Sequence, residues 1–97
     1  MADILTAEYF APHVGKDVRP AGQHRVLTFV TLDAREFPGW EAAPRKPFSL
    51  ILRGPPDDVL PQGPYICAFD DGPSVELYIM PIHTPSREHQ DYQVVFN

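Results

Sequence analysis

The 97-residue sequence has little of what small domains most often use for chemistry. It holds one cysteine, Cys67, so an internal disulfide and a cysteine metal knuckle are both excluded. No block of five or six Lys and Arg occurs, and the net charge is −5. A chain that holds nucleic acid by neutralising phosphates needs a basic stripe, so DNA or RNA binding is disfavoured, as is a polybasic contact with anionic lipid. No apolar run approaches the ~18 residues of a membrane span, and the start "MADILTAEYF" lacks a basic region followed by a long apolar core. The expectation is a soluble, cytoplasmic protein with no membrane partner. The phosphate-cradling loop, the dinucleotide glycine fingerprint and the serine nucleophile elbow are missing too.

What is present is a strand pattern. A chain of this length has room for one core, so residues 1–97 are read as a single β-rich domain. The 12 prolines are more than twice the usual share, yet they fall between the apolar runs and not inside them. Within the runs the period is two. In "FSLILR" Phe48, Leu50 and Leu52 point one way and Ser49, Ile51 and Arg53 the other. Tyr65, Cys67 and Phe69 do the same in "YICAFD", Val75, Leu77 and Ile79 in "SVELYIM", and Tyr92, Val94 and Phe96 in "DYQVVFN". "HRVLTFVTLDA" predicts a fifth strand, apolar on both faces and therefore the most covered, and Asp17 to Arg19 a short sixth.

Local signals order these runs. "DDGP" predicts a tight hairpin between the second and third alternating strands, because Asp-Gly is a strong turn dipeptide. Before the strands, "ILTAEYFAPHVGK" predicts a short helix with Thr6 as N-cap, Glu8 in its first turn and Gly15 as stop, laying Ile4, Tyr9, Phe10 and Val14 on the core. The fold expected is mainly β: five or six antiparallel strands in a small barrel or sandwich, with a short N-terminal helix over one end. In "RGPPDDVLPQGP", Gly54 and Pro55 stop a strand, Asp57 or Asp58 caps a turn, and Val59 and Leu60 plug the space beneath. A rigid strand connection accounts for that loop better than a site does.

The stretch "PFSLILRGPPDDVLPQGPYICAF", with "ELYIMPI" and the ending "YQVVFN", resembles a bacterial family of domains of unknown function of about one hundred residues. The likeness runs from Leu5 to Asn97. It is carried by Phe48, Ser49, Leu50, Arg53, Gly54 and Pro55, by Leu60, Pro61, Gln62, Gly63 and Tyr65, and by Pro81, Phe96 and Asn97. The resemblance implies an architecture and no chemistry. This chain departs from it in a longer insertion around Pro38 and in Cys67, where a polar or basic residue is usual.

Each candidate for chemistry has a plainer explanation. His83 and His89, with Glu88 and Asp91, flank a polar loop, but their spacing fits no zinc motif, and no metal or other cofactor is expected. Cys67 alternates with Tyr65 and Phe69 and so lies on the core face, where a thiol is apolar filler. Asp57-Asp58 and Asp70-Asp71 are turn and capping residues; side chains of sequence neighbours diverge and cannot face each other as a hydrolase pair does. "REFPGWEAAPRK" stands apart. It joins two strands over about 12 residues, a length at which loops are often functional. Arg35, Phe37, Trp40 and Arg45 supply the aromatic and arginine side chains enriched at protein interfaces; Trp40 folding back as a lid on the barrel is the equal alternative. The reading is an interaction or accessory module, not an enzyme, with a protein partner or a second copy, as in a larger bacterial or phage-tail-like assembly. The alternative is a small-molecule-binding domain or enzyme using the barrel mouth near His83, His89 and Asp57.

Overall fold

The structure is a computed structural model that describes residues 7–34 and 48–96. Six strands, β1 (Asp17–Pro20), β2 (Leu27–Ala34), β3 (Phe48–Gly54), β4 (Gly63–Phe69), β5 (Ser74–Pro81) and β6 (Gln90–Phe96), close into a barrel in the order β1-β2-β3-β6-β5-β4. Every neighbouring pair is antiparallel. Of the two architectures expected, the barrel is the one formed.

Alternation along the strands fills the interior. Phe48, Leu50 and Leu52 of β3, Cys67 and Phe69 of β4, Leu77 and Ile79 of β5, and Tyr92 and Val94 of β6 are all buried, while their sequence neighbours face outward. Strand β2 does not follow a simple alternation. Phe29 pairs with Leu52 and Thr31 with Ile51, so Val30 is an extra, bulged residue. The bulge reverses the phase, bringing Leu32 opposite Leu50 on the same face as Leu27 and Phe29. The double-faced apolarity of β2 thus reflects one bulge and not a covering layer.

One end of the barrel is closed by helix α1 (Ala7–Phe10), which tightens into a 3-10 turn over Ala11–His13 where Pro12 sits. Phe10 is buried among Phe48, Phe69 and Phe96, with ring centroids 5.4 to 5.9 Å away. Gly15 stops the helical segment at φ 93°, as expected. Val14, expected on the core, is 43% exposed: it follows the 3-10 turn, where the chain has already left the helical phase. The Thr6 cap and Ile4 lie outside the described residues.

The β4–β5 turn lies at this same end. The Gly72 N–H donates to the Phe69 carbonyl at 3.0 Å, and Asp71 takes the left-handed conformation, φ 52°, which Asp tolerates. Gly72 is needed for space instead: a Cβ there would stand 2.9 Å from the His13 ring. The other end carries the β1–β2, β3–β4 and β5–β6 connections. Leu60 is fully buried and plugs it, whereas Val59, expected beside it, is 44% exposed. Consecutive residues of an extended loop point to opposite sides, so one plug residue is all this loop supplies.

Candidate functional site

The mouth around Leu60 is where loop side chains converge. The Leu60 N–H donates to the Tyr92 hydroxyl at 2.8 Å, so the buried tyrosine of β6 holds the plug in place. Above it, Asp58 joins two loops. Its Oδ1 accepts from Arg25 Nε at 2.9 Å and lies 2.7 Å from Arg25 Nη2, while Oδ2 lies 2.6 Å from His24 Nε2. The His24 hydrogen bond first, then the hydrogen bond and charge of Arg25, hold the Asp58 carboxyl below its ordinary value. In place of the turn cap expected, Asp58 serves as a strut between the β1–β2 and β3–β4 loops.

A second strut stands on the β3–β6 pair. Arg53 donates through Nε to Asp91 Oδ1 at 2.8 Å and through Nη2 to Oδ2 at 3.3 Å, and His89 Nε2 lies 3.5 Å from Oδ1. The Asp91 hydrogen bond raises the Arg53 pKa further above its ordinary value. The β5–β6 loop is bound to itself: Gln90 Nε2 donates to the Ile82 carbonyl at 2.8 Å and the Asp91 N–H to Thr84 Oγ1 at 2.9 Å.

Of the three residues expected at the mouth, His83 and Asp57 are exposed and His89 turns to Asp91. Among the described residues no group of three His, Cys, Asp or Glu side chains is placed to hold a metal ion. Asp58 and Asp91 have both oxygens engaged, Asp58 by Arg25 and His24 and Asp91 by Arg53, an arrangement that fastens the loops. Cys67 is fully buried, and burial pushes its thiol up to about 12, far from a reactive thiolate.

A second exposed apolar surface, besides Val26 and Val59 at the mouth, lies on the outer face of β4 and β5. Tyr78 is 50% exposed beside Pro64, its partner in the ladder, and Ile66 is 51% exposed opposite Glu76. Gln62 Nε2 donates to the Tyr78 hydroxyl at 3.0 Å, fixing the ring against the β3–β4 loop. The alternation that located the core also implied these outward residues, since Ile66 and Tyr78 are the apolar members of the opposite phase. The mouth struts had no such signal, because Arg25 and Asp58 lie 33 positions apart. Arg35, Phe37, Trp40 and Arg45, the candidates with interface chemistry, lie outside the described residues.

These features define a small, closed antiparallel barrel plugged at both ends. Residues 5–96 match the family described as a domain of unknown function, DUF6916, and the chain belongs to that family. No curated protein and no solved structure matches the chain. No helix is long and apolar enough to cross a membrane among the described residues.

Proposed function

We propose that this domain is a non-enzymatic interaction or accessory module, a cytoplasmic component of a larger bacterial or phage-tail-like assembly. The observation that carries the reading is the outer face of β4 and β5, where Ile66 and Tyr78 stay half exposed while the apolar residues of the opposite phase are buried. Aromatic side chains held outward on a rigid sheet are the material of interface centres. The composition of the Arg35 to Lys46 segment supports a second contact, through Arg35, Phe37, Trp40 and Arg45. With a net charge of −5, the partner is a protein or a second copy of this chain in preference to a nucleic acid. The mouth near His83, His89 and Asp57 has less support as a site, because Leu60 fills it and two of its carboxylates, Asp58 and Asp91, are committed to Arg25, His24 and Arg53.

Trp40→Ala tests the reading by paired sedimentation and melting. An interface anchor leaves the melting temperature nearly unchanged while self-association or partner capture is lost. A lid over the barrel instead costs ~3 to 5 kcal/mol, as for other buried aromatics cut to alanine. A stability loss of that size with unchanged assembly overturns the Trp40 contact and, with it, half of the reading's support.

A further inference from the structure

The barrel is closed unevenly. Strand β6 is laddered to β3 along its whole length, from Phe48–Phe96 to Gly54–Gln90, and β4 to β5 from Gly63–Ile79 to Ala68–Ser74. Between β5 and β6 the pairing consists of Met80–Gln93 and Pro81–Tyr92, extended by the Ile82 N–H donating to the Asp91 carbonyl at 3.1 Å. Continuing that register would set Tyr78 against Val95, and the pairing stops short of it.

Hydrogen-bond parity says which backbone groups this leaves. The N–H and C=O of one strand residue point to the same side, and successive residues alternate. The Phe69 N–H donates to the Pro73 carbonyl across the β4–β5 turn, so Pro73 and, by alternation, Val75, Leu77 and Ile79 turn their backbones to β4. Ile82 and Met80 turn theirs to β6, and so do Tyr78, Glu76 and Ser74. On the opposite lip Val95 has the parity of Gln93 and faces β5. Among the described residues the backbones of Glu76 and Tyr78 therefore have no ladder partner on that side, and each presents an N–H and a C=O at a two-residue repeat of about 6.8 Å, the spacing of a strand edge.

We propose that this seam takes an extended strand from a partner polypeptide, which adds to the stretch of β5 edge that is unpaired among the described residues. The inference rests on the interaction-module reading and names its surface and the kind of partner. The lips carry exposed side chains, Tyr78 at 50% and Val95 at 43%, which contact apolar residues at alternate positions of the incoming strand. Charge narrows the partner further. Glu76 is exposed and has no ion-pair partner among the described residues, on a chain of net charge −5, so the strand carries Lys or Arg beside it. Main-chain bonds supply affinity in strand addition, and the alternating side chains supply selectivity.

The test pans a displayed library of short linear peptides against the full chain, then uses the strongest binder, made synthetically, as the probe. Its expected sequence places an apolar residue and a Lys or Arg two positions apart, on the one face that meets Tyr78 and Glu76. On binding, the amide resonances of Glu76, Tyr78 and Val95 shift and their exchange with deuterated water slows, while those of Val75 and Leu77 stay as they were. N-methylation is placed in turn on each of the two alternating sets of peptide nitrogens; the set facing β5 weakens binding by about tenfold or more, since each methyl there removes a main-chain bond at the edge. Glu76→Lys, a surface change, weakens it similarly and leaves melting unaltered. A library without binders, a binder whose shifts avoid the seam, or two N-methylated peptides, one for each alternating set, that both bind as well as the parent overturns the proposal. Shifts confined to the Arg35 to Lys46 segment remove the seam and keep the interaction module. An empty library together with unchanged assembly of Trp40→Ala removes both.

Discussion

The two ends of the barrel are closed by different physics. At the helix end Phe10 meets three other phenylalanines, and Phe48 and Phe96 stack at 4.6 Å with an interplanar angle of 11°. The closure is mainly apolar surface removed from water, which needs no partner of fixed geometry. At the mouth a single leucine does the filling, and position comes from polar contacts: the Tyr92 hydroxyl on the Leu60 N–H, Arg25 and His24 on Asp58, Arg53 on Asp91. That closure depends on geometry and on ionisation. The helix end should therefore dominate stability, and the mouth should dominate its dependence on conditions.

The largest effect expected is from removing the last strand segment. Deleting Val94 to Asn97 takes Val94 and Phe96 from opposite Leu50 and Phe48 and leaves Phe10 without one wall. Each such side chain contributes ~1.5 to 3 kcal/mol by burial, against a total near ~5 to 15 kcal/mol, so the truncated chain should show no cooperative thermal transition by circular dichroism. A truncated protein melting within a few degrees of the parent would break the account of the helix end. Phe10→Ala comes next, at a cost of ~3 to 5 kcal/mol in denaturant titration. At the mouth, Tyr92→Phe keeps the ring and removes the acceptor of the buried Leu60 N–H, a loss of about 1 to 3 kcal/mol. If Tyr92→Phe cost more than Phe10→Ala, the ranking of the two ends would be reversed.

The contrast also separates what could be read in the chain from what could not. Burial by alternation is local in sequence, so the inward phases of β3, β4, β5 and β6 were legible residue by residue. The Val30 bulge was not, because one inserted residue inverts the phase for everything after it without altering composition. The turn at "DDGP" was legible, but for a different residue: Asp71 takes the left-handed conformation, and Gly72 is set by the approach of His13. Val14 and Val59 read as inward because they are apolar, although each sits where the chain has left a regular period. The mouth struts depend on which loops meet, and that is known only once the barrel order is. The outward Ile66 and Tyr78 were implied by the same alternation that found Cys67 and Leu77, so the exposed face could be read from sequence while the seam beside it could not.

The smallest effect expected tests the polar end by its proton. Hydrogen bonds from His24 and Arg25 favour the charged carboxylate of Asp58 and lower its pKa from the ordinary 3.8. A carboxylate with a depressed folded-state value contributes stability that is present above its unfolded value and is lost as pH falls through the folded one. Asp58→Asn removes that contribution, so at neutral pH the variant should melt slightly below the parent, and the gap should close as the pH is taken well below 3.8. Phe10 itself carries no titrating group, so the gap for Phe10→Ala should persist over the same range. Because His24 is exposed and the Asp58 carboxylate partly so, the Asp58 effect should be smaller than that of Phe10→Ala or Tyr92→Phe and should shrink with added salt. Scanning calorimetry on the parent, Asp58→Asn and Phe10→Ala across pH reads the two gaps together. A gap for Asp58→Asn that ignores pH would show that the strut acts through shape and not charge, and the distinction drawn between the two ends would fail.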